Sequence, residues 1–63
     1  MDKTDIFIAD KSGVRLDKFV SEKCPEVSRT QAQRLITEGF ITVNERTAKP
    51  ALKLSTGDRV KVT

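Results

Sequence analysis

An α+β domain, with two helices packed on a small twisted and mostly antiparallel sheet, is what this 63-residue sequence predicts. Between Arg15 and Gly39, apolar residues recur twice at helical spacing; after Gly39 the period falls to two. Turn residues separate the periodic stretches and set their bounds.

In chain order, Ile6-Phe7-Ile8-Ala9 is a short β-prone run that stops at Asp10, Ser12 and Gly13. From Arg15, the residues Leu16, Phe19, Val20 and Cys24 fall on one helical face, with Asp17 in the first turn, where a negative charge suits the helix dipole. Pro25 ends that helix. Ser28 caps the next one and Gln31 completes a capping box, while Val27 and Ala32 are spaced as a hydrophobic staple. Gly39 closes it at the position after the cap. Ile41 and Val43 then point one way and Phe40, Thr42 and Asn44 the other, before a turn at Asn44-Glu45-Arg46. Residues 49–54 read as extended or irregular. A second turn at Ser55-Thr56-Gly57-Asp58 leads into a last strand, with Val60 and Val62 inward and Arg59 and Lys61 outward.

Composition narrows the function. A chain this short forms one domain that buries only about 60% of its unfolded surface, leaving little room for a closed catalytic pocket. With no histidine and a single cysteine, neither an internal disulfide nor a cysteine-based zinc site is available, and no metal or cofactor is expected. Cys24 lies on an apolar stripe and reads as a core filler, not a nucleophile. No stretch resembles a signal peptide or membrane helix, so a reducing, cytoplasmic setting is expected. The net charge of +3 is unevenly placed. Residues 1–27 carry five basic and six acidic side chains, whereas residues 28–63 carry seven basic and three acidic. A basic half in a near-neutral domain suits a surface that meets phosphates.

The second helix focuses that charge. Ala32, Leu35 and Ile36 make its buried stripe, so Arg29, Thr30, Gln33, Arg34 and Thr37 spread over the opposite arc. Glu38 falls on the flank, and Arg29 and Arg34 read as cations without an acidic partner. Arg59 and Lys61 read instead as cations guarding a sheet edge against pairing with other chains.

The series Arg15-Leu16-Asp17-Lys18-Phe19, Ser28-Arg29-Thr30-Gln31-Ala32-Gln33-Arg34-Leu35-Ile36, Gly39, Ile41, Val43-Asn44, Lys49-Pro50 and Gly57-Asp58 with Val60 and Val62 resembles the RNA-binding domain named after small-subunit ribosomal protein S-four. The resemblance covers residues 15–63. With the preceding strand, it is most similar to the domain at the front of large-subunit ribosomal pseudouridine synthases. It implies an RNA surface built from Arg29, Thr30, Gln33 and Arg34 on the second helix and Asn44 at the following turn, flanked by Lys49 and Lys53, with Arg15 a further candidate at the first helix. Glu45 departs from the glycine common after that asparagine, which adds backbone strain and an acid near the turn.

These residue types suit RNA: Arg offers a planar fork to phosphate, and Gln, Asn and Thr can meet a phosphate or 2′-hydroxyl. Only Phe7, Phe19 and Phe40 are aromatic, so no stacking platform for splayed bases is expected and the target is structured RNA. An R-L-D run also marks the catalytic aspartate of pseudouridine synthases, but here Lys18-Phe19-Val20-Ser21 continues an amphipathic helix, and Asp17 is assigned to its N-terminal turn.

The expectation is one domain over residues 1–63, with a strand and turn in 1–14 and the core motif in 15–63, acting as a non-catalytic monomer cut from a longer pseudouridine synthase. It docks structured, ribosomal RNA. The alternative is a protein-docking module with no direct RNA contact.

Overall fold

The computed structural model describes residues 4–63. The first three positions of the N-terminal segment assigned to residues 1–14 lie outside the described residues. The chain runs β1 (Asp5–Ile8), α1 (Leu16–Lys23), α2 (Arg29–Thr37), β2 (Ile41–Val43), β3 (Arg46–Thr47) and β4 (Arg59–Val62). The strands form one antiparallel sheet in the order β1-β4-β2-β3. The α+β architecture therefore stands as the sequence predicts.

Both helices form for the reasons legible in the sequence. Leu16, Phe19, Val20 and Cys24 are all buried along α1. On α2 the Gln31 amide donates to Ser28 Oγ and the Ser28 amide to Gln31 Oε1, both at 3.1 Å, closing the capping box. At its other end Gly39 takes a φ of +88°, and the amides of Gly39 and Phe40 donate to the carbonyls of Ile36 and Leu35. That 5→2 and 6→1 pair of bonds is a Schellman stop, which a left-handed glycine makes without a Cβ penalty.

The start of α1 is satisfied from far away in sequence. The amides of Leu16 and Asp17, which lack intrahelical partners, donate to the carbonyls of Leu52 and Pro50. Leu54, in the stretch read as irregular, exchanges backbone bonds with Gly13 and Val14 and is buried. It joins Leu16, Val20, Ala32, Ile36, Ile41 and Val60 in a core between the helices and one face of the sheet. On that face Phe7 opposes Val60, and Val60 opposes Val43.

Two expectations are corrected. Arg46 belongs to β3, paired with Val43, and not to the turn. Arg59 and Lys61 guard no edge, because β4 is flanked by β1 on one side and β2 on the other. Their side chains share the uncovered sheet face with Ile6, Ile8 and Thr42, since Ile6, Lys61 and Thr42 stand in one register row. Among the described residues no helix is long and apolar enough to cross a membrane.

Candidate nucleic-acid interface

Asp17 organises the helix face. Its side chain is fully buried where α1 meets α2, yet it ends among polar partners. Oδ1 accepts the Lys18 amide at 2.8 Å; Oδ2 accepts Gln33 Nε2 at 2.8 Å, Arg15 Nη2 at 3.2 Å and Arg29 Nε at 3.3 Å. Burial by itself pushes the carboxyl's pKa up, but the hydrogen bonds from Gln33, the Lys18 amide and Arg29, together with the charge of Arg15, overcome it and hold the group below its ordinary 3.8. It is therefore an anion at neutral pH.

Three of the residues singled out from sequence, Arg15, Arg29 and Gln33, thus converge on one buried acid. Arg29 and Gln33 are four apart on α2 and so share a face. Lys53 lies opposite Arg15 in an antiparallel bridge, which brings a third cation-bearing backbone position alongside. Thr30 and Lys49 are exposed, Lys49 at the start of the turn whose Pro50 carbonyl meets α1.

The unpartnered arginine pair expected on α2 is corrected. Arg29 is bound to Asp17, and Arg34 Nε donates to Glu38 Oε2 at 3.1 Å, one helical turn along. The Arg34–Glu38 spacing is the ordinary i,i+4 contact and was open to sequence reasoning; the Arg29–Asp17 contact joins two helices and was not. The arginines differ in what they retain. Arg34 is 80% exposed in a surface pair that costs little to break. Arg29 gives only Nε to Asp17, and neither terminal amino group has a partner among the described residues.

Asn44 belongs to a separate cluster. Its Nδ2 donates to Asp58 Oδ1 and its Oδ1 accepts the Arg59 amide, so the side chain ties the β2–β3 turn to the start of β4. The bond from the Ser55 amide, followed by that from Asn44, holds the Asp58 carboxyl below its ordinary value. Glu45 is paired with Arg59 Nη2 at 3.3 Å, which offsets the acid expected to repel phosphate there. The strain is present: Asn44 and Glu45 both have positive φ, 52° and 67°, the signature of a type I′ hairpin turn. Glu45→Gly is expected to stabilise the domain by about 1 kcal/mol, net of a surface ion pair worth less than that, as a rise in thermal midpoint would show.

Cys24 is buried, and burial followed by the charges of Glu26 and Asp5 pushes its thiol up, away from the reactive thiolate. Among the described residues no cluster of histidine, cysteine and carboxylate side chains could hold a metal ion.

A two-helix domain on an antiparallel sheet, with an arginine just before α1 and one in α2 anchored on one buried acid, is matched over residues 14–60 by the S4 domain, an RNA-binding domain; the chain belongs to that family. Among individual proteins, it is 33% identical over 54 residues to ribosomal large subunit pseudouridine synthase C of Escherichia coli strain K12, covering 86% of this chain and 17% of that protein. The counterpart from Salmonella typhi gives the same figures. An uncharacterized RNA pseudouridine synthase of Aquifex aeolicus is 45% identical over 47 residues, 73% of this chain and 15% of that protein. The chain spans less than a fifth of the length of these relatives.

Proposed function

We propose that this chain docks structured ribosomal RNA through the outer face of α2, and that within a longer cytoplasmic protein it positions a pseudouridine synthase body without itself catalysing. The observation that carries this reading is Arg29: a guanidinium braced at Nε by a buried carboxylate, with both terminal amino groups left to fork onto a phosphate. Gln33, Arg15 and Lys53 extend the face, and Thr30, Arg34 and Lys49 flank it. Asn44 acts by shaping the turn, since both ends of its amide are already engaged. The relatives' names and their greater length support a role as the RNA-gripping part of a larger enzyme.

A salt titration of binding to a ribosomal RNA stem-loop tests this. Arg29→Ala is expected to weaken binding by about 1–3 kcal/mol and to lower the slope of log affinity against log salt by about one phosphate's worth. Arg34→Ala should do less, because Glu38 already offsets its charge. If both variants match the parent in affinity and slope, this face does not bind RNA. The rival reading, protein docking, draws on Ile6 and Ile8, both more than half exposed on the uncovered sheet face; failure of the parent chain to bind any RNA at low salt would favour it.

A further inference from the structure

We infer that Gln33 distinguishes RNA from DNA by accepting a hydrogen bond from a ribose 2′-hydroxyl, and that buried Asp17 fixes its amide in the orientation this requires. The inference rests on the RNA reading above and names the chemical group that α2 reads. An ionised carboxylate can only accept, so the Gln33 atom 2.8 Å from Asp17 Oδ2 must be the donor Nε2. The amide is thereby locked with Nε2 inward and Oε1 outward. Oε1 has no partner in the described residues, and no buried side-chain polar atom among them lacks one, so Oε1 opens to solvent. On a face whose other side chains, Arg15, Arg29 and Lys53, can only donate, it is the acceptor that Asp17 sets in place.

An acceptor aimed at a nucleic-acid backbone repels phosphate oxygens and needs a donor. The 2′-hydroxyl is the backbone group that donates, and DNA lacks it. Arg29 is one helical turn from Gln33, so the terminal fork of Arg29 can hold a phosphate while Oε1 meets a neighbouring ribose. Asp17 is a positioning residue here: it touches no RNA, but it decides which end of the amide faces out.

The test uses one ribosomal stem-loop made as RNA, as its 2′-deoxy form and as its 2′-O-methyl form, which cannot donate. The parent chain is expected to bind the 2′-hydroxyl form about three- to tenfold more tightly than either modified form. Gln33→Ala should erase that gap without changing the salt slope, because no charge is lost. Gln33→Lys keeps a donor for Asp17 but has no acceptor, and it too should bind all three forms alike. A parent chain with no preference, or a preference that survives either substitution, overturns the role of Gln33 and leaves RNA binding standing. If the parent binds none of the three stem-loops, the RNA reading itself falls.

Discussion

Ile36→Ala is expected to lower stability by about 2–5 kcal/mol, the ordinary range for emptying a fully buried site of this size. Ile36 is 1% exposed on the inner face of α2, packed in the cluster with Leu16, Ala32 and Ile41. A 63-residue domain has a total stability on the order of 3–9 kcal/mol. The substitution therefore removes a large part of it, and a urea titration should show the midpoint fall steeply. RNA affinity should fall in step with the unfolded fraction, since the outer face of α2 exists only while its inner face is held. An unchanged urea midpoint would mean that this core is not the one the domain uses.

Asp17→Ala gives the other large effect. Removing one partner of a fully buried ion pair costs about 3–5 kcal/mol, but Arg15 and Arg29 are 44% and 48% exposed and can hydrate once released. The expected loss is accordingly smaller, about 1–3 kcal/mol. The direction of the binding change is more telling than its size. Loss of an acid makes the chain one unit more positive, so charge alone predicts tighter binding; loss of the brace on Arg15, Arg29 and Gln33 predicts weaker binding. Weaker binding is expected, measured by salt titration at a temperature where the variant is folded, and tighter binding would sink the brace.

The same carboxylate sets an acid limb. Its folded-state pKa lies below the ordinary 3.8, so the unfolded chain takes up the proton first as pH falls. The stabilisation is complete well above the ordinary value and is lost as pH drops through it toward the lowered one. Asp58, also lowered, acts in the same window. Urea midpoints measured across it should fall less in Asp17→Asn than in the parent.

How much of this could be read from sequence follows from how local each cause is. The Ser28–Gln31 box, the Gly39 stop and the apolar stripes act within one or two turns, and both helices were legible from them. β3 is two residues long and gives no period to detect. The place of β4 between β1 and β2 is a matter of pairing across most of the chain, and an alternating strand with outward cations reads alike at a centre or an edge. Asp17 shows the same divide. Its position in the first turn of α1 was legible, whereas its hold on Arg29 and Gln33, twelve and sixteen residues on, needed the angle at which the helices meet.

The sheet order also governs the sequence of assembly during synthesis. β1 and β2 share no ladder; each pairs with β4, the last of this domain's four strands in chain order. The start of α1 likewise waits for the Pro50 and Leu52 carbonyls. A nascent chain can wind its two helices early, but it has only the short β2–β3 hairpin and no completed sheet to rest them on, so the interface in which Asp17 gathers the arginines is not yet fixed. The face proposed to grip RNA is thus a late product of the domain's own synthesis: a ribosome still making these residues would present loose cations, and the finished arrangement would appear only once β4 slots between its neighbours.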